Sequence, residues 1–144
     1  MNEKALLDDL GEIIAINSVY SEPTANAPYG EGCKRALQWF VDKARSYGLK
    51  AENMDNYCAY AEYGEGSECI GALAHLDVVP AGNGWATDPF KMVEENGKVY
   101  GRGVGDDKGS VVVCLHALKE LKDNNVKLKR RVRLIVGAYE ERGS

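Results

Sequence analysis

HLDVVPAGNGWATDPFKMVEENGKVYGRGVGDDKG, residues His75 to Gly109, decides how the rest of the chain is read. It begins where an apolar run, Ile70-Gly-Ala-Leu-Ala-His75, reads as a buried strand. His75 and Asp77 are two residues apart, so in an extended backbone both side chains lie on one side. A histidine beside a carboxylate at a strand end suits a metal ligand and the group that orients it. The stretch closes on Gly101-Arg-Gly-Val-Gly-Asp106-Asp107-Lys-Gly109, two carboxylates in a glycine-rich turn. Glu140 and Glu141 follow a further apolar run.

Outward from this stretch, helical and strand periodicities alternate. Residues 3–16 predict an amphipathic helix facing inward with Leu6, Leu7, Leu10, Ile13 and Ile14, although Gly11 costs about 1 kcal/mol inside it. Residues 17–32, with Pro23, Pro28, Gly30 and Gly32, read as a loop. A second helix is expected over 31–47, stopped by Gly48. Short strands are expected over 50–54 and 57–63, and a central buried strand over 69–76. Residues 90–93 and 98–100 read as a hairpin across Glu94 to Gly97. A third helix covers 109–124 and a last strand 131–138. Helices separated by strands predict an α/β sandwich around a central sheet.

The chain has 144 residues, enough for one domain with a real core. It carries 18 Lys and Arg against 22 Asp and Glu, a formal charge of -4, which gives no reason to expect nucleic acid or an anionic membrane as partner. No apolar run reaches the length of a membrane span. An acidic N-terminus without a signal-peptide core points to the cytoplasm. The four cysteines are scattered without a CxxC pair, so most are expected as small core residues rather than zinc or disulfide partners. His116 reads as an exposed or half-buried helix residue, and Trp39 as packing. Trp85 either lines the site or pins its loop. The basic run 127–133 reads as a solvated lead-in to the last strand.

Gly101, Gly103 and Gly105 do not make a nucleotide site. The dinucleotide fingerprint is G-x-G-x-x-G, whereas here G-x-G-x-G leads straight into two aspartates that repel phosphate. Metal chemistry suits these residues better. Zinc or a harder divalent cation accepts His, Asp and Glu together, and adjacent acids repel each other without a compensating cation. In a mainly parallel sheet the strand ends can converge on one rim. In the Glu140-Glu141 pair, one carboxylate can hold a metal while its neighbour moves a proton.

His75-Leu-Asp77-Val-Val-Pro80, Gly84-Trp85 with Pro89-Phe90, Gly101 through Gly109, and Glu140-Glu141 together resemble the M20 metallopeptidases. Pro28-Tyr-Gly-Glu-Gly32 and Asp55-Asn56-Tyr57 point to the PepV-like dipeptidase branch. The resemblance implies a three-layer α/β sandwich with a central mostly parallel, mixed sheet. It implies two zinc-class ions, with cobalt or manganese as substitutes, bridged by Asp106. Asp107 would join Asp106 through a cis peptide bond. His75 would be a terminal ligand oriented by Asp77, Glu141 would bind the other ion, and Glu140 would be the general base. The implied substrates are dipeptides, with small N-acyl amino acids as the alternative. Ala74 stands where the family usually has glycine, and Ala138-Tyr139 where threonine and aspartate are common. The family's later acidic and histidine ligands and its lid or dimerisation domain have no counterpart here. Residues 1–144 are therefore expected to be the N-terminal portion of the catalytic domain. Alone, that portion is expected to have little peptidase activity, weak metal binding and a tendency to self-associate; a non-catalytic fragment is the other reading.

Overall fold

Small side chains on the inward register of the sheet decide how closely its helices approach. The computed structural model describes residues 2–143. Along the chain come α1 (Glu3–Ile14), α2 (Glu31–Ser46), β1 (Lys50–Met54), β2 (Cys58–Tyr63), β3 (Cys69–His75), β4 (Val93–Glu95), β5 (Lys98–Tyr100), α3 (Lys108–Asp123) and β6 (Arg131–Gly137). A 3-10 turn, Glu140–Arg142, closes the described chain. Ala51, Ala59, Ala61, Leu134 and Val136 form the buried floor on which the helices rest. Phe40 and Leu37 from α2, and Val111, Val112 and Leu115 from α3, fill the space above it. α1 packs on α3.

The main sheet has the order β1-β2-β6-β3. β1 with β2 and β2 with β6 are antiparallel; only β3 with β6 is parallel. The expected mostly parallel sheet is therefore wrong, and the sheet is mixed and mostly antiparallel. A parallel pair needs a long crossover, usually a helix. β1 and β2 are instead joined by a tight turn in which Asp55 and Asn56 have φ of 52° and 62°. The one crossover through a helix runs from β3 through α3 to β6.

The three-layer expectation also needs correction. Register sets Tyr60, Glu62, Arg133, Ile135 and Leu73 on the face opposite the helices. Leu73 is 82% exposed there. The arginine of Arg133 lies over the Tyr60 ring at 3.9 Å and pairs with Glu62 at 2.6 Å, so this face is lined by its own side chains. The helices form one layer and the sheet a second.

β3 is not the central buried strand its composition suggested. It is an edge strand, paired only with β6, and Ile70 is 52% exposed. A continuous apolar run marks a strand meant for cover on both faces, and here that cover is missing. The hairpin lies apart as a two-stranded sheet of β4 and β5. Asn96 and Gly97, with φ of 53° and 70°, give it the tight turn whose twist suits a hairpin. Of the four cysteines, all free, only Cys33 is buried.

Candidate metal centre

β3 and β6 run parallel with His75 opposite Gly137, so the chain leaves both strands at the same rim. Leu76 to Val78 and Ala138 to Glu141 emerge side by side, and the turn that starts α3 arrives at the same place. His75, Asp106 and Glu141 each offer one ligand atom there, all within 4.8 Å of one another. His75 Nε2 lies 3.0 Å from Asp106 Oδ1. Glu140, outside that triad, holds its Oε2 3.7 Å from the same nitrogen. The Asp106–Asp107 peptide is cis.

The local hydrogen bonds fix these groups. His75 Nδ1 lies 3.0 Å from the carbonyl oxygen of Asp77. A carbonyl only accepts, so in the neutral ring Nδ1 carries the proton and Nε2 is free to bind a cation. The expected orienting role of Asp77 thus falls mainly to its backbone, since its carboxylate stands farther off at 3.4 Å. That buried carboxylate instead accepts the amides of Glu140 at 3.1 Å and Glu141 at 3.0 Å. It ties the glutamate turn to the histidine arm. Asp107 accepts the His75 amide at 3.4 Å, linking the third arm to the first.

The charge balance is one-sided. Burial works against a charged His75, but its hydrogen bonds to Asp106 and Asp77 and the nearby Glu140 carboxylate outweigh it and raise the pKa. Among the described residues, no Lys or Arg forms an ion pair with Asp106, Asp107, Glu140 or Glu141. One imidazole nitrogen with two carboxylate oxygens is a donor set suited to zinc and related divalent ions. The residues present fit a cation of that class.

Other expectations resolve around this rim. Trp85 pins its loop, donating Nε1–H to the Ala81 carbonyl at 2.8 Å, and Arg102 lies over its ring. It also lines a cavity of about 470 Å³ that touches none of His75, Asp106 and Glu141. His116 is buried rather than exposed or half-buried, and bonds Asp9 at 2.8 Å away from the centre. Tyr139 stacks on Tyr29 with ring centroids 4.5 Å apart and meets Tyr20 edge-on, which accounts for an aromatic residue before the glutamates.

Lys108 has no role of its own in the sequence pattern. It is fully buried, and its ammonium donates to the carbonyls of Ile13 at 3.0 Å and Ile16 at 2.7 Å. Burial pushes its pKa down to about 8. The signal was its place on the inward helical stripe with Val111, Val112, Leu115 and Leu118. The glycines beside it serve packing: a Cβ on Gly103 would meet Lys108 and Val78 at 3.0 Å, and one on Gly109 would meet the Val104 oxygen at 2.1 Å.

An α/β domain with a His-Asp-Glu triad at its sheet rim defines a candidate metal-binding domain. The chain belongs to Peptidase family M20/M25/M40, whose pattern matches residues 71–144. It is 43% identical over 138 residues to the putative dipeptidase YtjP of Bacillus subtilis, covering 94% of this chain and 30% of that protein. It is 41% identical over 142 residues to the Beta-Ala-Xaa dipeptidase of Lactobacillus delbrueckii subsp. lactis, covering 95% of this chain and 30% of that one. Among solved structures it resembles human carnosine dipeptidase 1, with a TM-score of 0.83 at 27% identity, over 98% of this chain and 33% of that one. The chain thus spans about 30% of the length of the curated relatives it matches.

Proposed function

We propose that this chain carries part of the centre of a metal-dependent dipeptidase, with His75, Asp106 and Glu141 as metal ligands and Glu140 as general base. The observation that carries the reading is the convergence of the three ligand atoms within 4.8 Å on a rim of uncompensated carboxylates. Zinc-class ions held there would supply Lewis acidity to a peptide carbonyl and to an attacking water. Glu140, exposed and outside the triad, is placed to take the water's proton and return it to the leaving amine. Asp77 keeps Glu140 and Glu141 in one turn through their amides. The hydrolysis products are two amino acids.

Three ligands and a water complete one tetrahedral site, whereas a pair of ions needs more donors. The other histidine, His116, is committed to Asp9. Residues 1–144 alone therefore bind one ion with modest affinity and turn over slowly or not at all. The similarity to a Beta-Ala-Xaa dipeptidase favours β-alanyl dipeptides as the first substrates to try. The test pairs elemental analysis of bound zinc, cobalt or manganese with hydrolysis of β-alanyl-histidine, for wild type and Glu140→Ala. We expect about one ion per chain in both proteins, and loss in the variant of whatever turnover the wild type has. Metal binding that survives a combined His75→Ala and Glu141→Ala substitution would refute the ligand assignment.

A further inference from the structure

Two of the three arms of the candidate metal centre rest on one short segment, residues 13–18, where α1 ends and the following loop begins. Lys108 attaches the aspartate arm. It directly follows Asp106-Asp107, and its ammonium reaches Ile13 O at 3.0 Å and Ile16 O at 2.7 Å. Ser18 attaches the histidine arm. Its hydroxyl donates to Leu76 O at 2.6 Å, and its carbonyl accepts the Val78 amide at 3.2 Å. Ser18 is itself fully buried, and its carbonyl also takes the Cys33 thiol at 3.3 Å.

The chemistry of Lys108 sets it apart from a packing residue. Lysine is almost never fully buried without an anionic partner. Here the ammonium bonds carbonyls at the C-terminal end of α1, where the helix dipole favours a cation. A methylene chain of the same length would fill the space equally well but could not hold those oxygens. The ammonium fixes where the first turn of α3 sits relative to α1, and so where Asp106 sits relative to His75.

We propose that Lys108 and Ser18 are positioning residues for metal binding, and that residues 13–18 are the shared seat that sets the His75–Asp106 spacing. The inference rests on the reading of His75, Asp106 and Glu141 as ligands. Coupling between two sites is reciprocal. A bound ion therefore slows hydrogen exchange at residues 13–18, although none of them touches it.

The test uses the 144-residue chain in four forms: wild type, Lys108→Met, Ser18→Ala and Leu118→Ala. The last is a control that opens the core ten residues along α3, about 15 Å from Lys108. Cobalt affinity and the visible spectrum of bound cobalt are measured at a temperature where circular dichroism shows all four folded. Exchange at residues 13–18 is followed by mass spectrometry with and without cobalt. Loss of an outer partner of a metal ligand typically weakens binding roughly 10–100-fold. We expect losses in that range for Lys108→Met and Ser18→Ala, with an altered spectrum, and affinity within about twofold of wild type for Leu118→Ala. We also expect cobalt to slow exchange at 13–18 in wild type and not in Lys108→Met. Wild-type affinity in Lys108→Met, or an equal loss in all three variants, overturns the inference while leaving the ligand assignment intact. No cobalt binding by folded wild type overturns both.

Discussion

The two histidines of this chain sit in surroundings that look alike and behave differently. Both are buried, His75 at 7% exposure and His116 at 3%, and each has a carboxylate oxygen within 3.0 Å. Around His116 the charges close on themselves. Asp9 also takes hydrogen bonds from the Tyr47 hydroxyl and from Lys43, and Lys43 reaches Glu12 at 2.7 Å. Around His75 the acids outnumber any basic partner, and the Asp106 side chain is 78% exposed. Residue type and burial do not distinguish a structural histidine from a candidate ligand here. The presence or absence of a protein cation does.

The largest expected effect separates the two sites outright. His75→Ala should lower zinc affinity more than roughly 100-fold, beyond what loss of a group that only orients a ligand produces. Its thermal stability should change little. His116→Ala should do the reverse. It leaves a buried carboxylate short of a donor, which costs roughly 1–3 kcal/mol, while zinc affinity of the folded protein stays unchanged. Calorimetric titration and thermal melts on both variants check this, and zinc binding lost equally in both would erase the distinction.

A smaller effect is expected at Asp77, the hinge between the histidine and glutamate arms. Asp77→Ala releases the Glu140 and Glu141 amides. It should weaken zinc binding roughly 10–100-fold, as for other groups that orient ligands. An Asp77→Asn variant keeps an oxygen acceptor for one amide and should lose less. Titration of both variants under the same conditions gives the order.

The smallest effect lies in the pH response of the His116 cluster. Burial would raise the Asp9 pKa, but hydrogen bonds from Tyr47, Lys43 and His116 outweigh it and hold the carboxyl below its ordinary value of 3.8. A carboxyl depressed in the folded state adds stability that is fully present above its unfolded pKa and is lost as pH falls through the folded one. The melting temperature should therefore drop more steeply below about pH 4 in wild type than in Asp9→Asn. Parallel acid profiles for the two proteins would contradict the closed network.

Much of this was legible in the sequence, and the gaps have physical causes. α2 and β1 lie almost where periodicity placed them, because Gly48 and the alternating inward residues act locally. His75 and Glu141 could be singled out because one ends and the other follows an apolar run, and Asp106 because it lies in a glycine-rich turn that matches the family's motif. Sheet direction was not legible. It depends on β2 pairing with β6 across 68 or more residues of chain, as Tyr63 does with Val132, and no local pattern encodes that choice. The apolar run of β3 announced burial that the chain itself does not provide. The Asp77 carboxylate does stand 3.4 Å from His75, two positions away, but the amides it accepts come from Glu140 and Glu141, too far along the chain for a local pattern to show. Lys108 was given no role because a charged residue is ordinarily read as solvated.

The central claim is that a divalent ion binds among His75, Asp106 and Glu141. Anomalous diffraction at the zinc edge, on crystals grown with zinc, tests it most directly. The account predicts a peak at the sheet rim, about 2.0–2.2 Å from His75 Nε2 and from a carboxylate oxygen each of Asp106 and Glu141, with Glu140 beside it and unbound. A peak held by other residues, or none at the rim while zinc is present in the crystal, would contradict it.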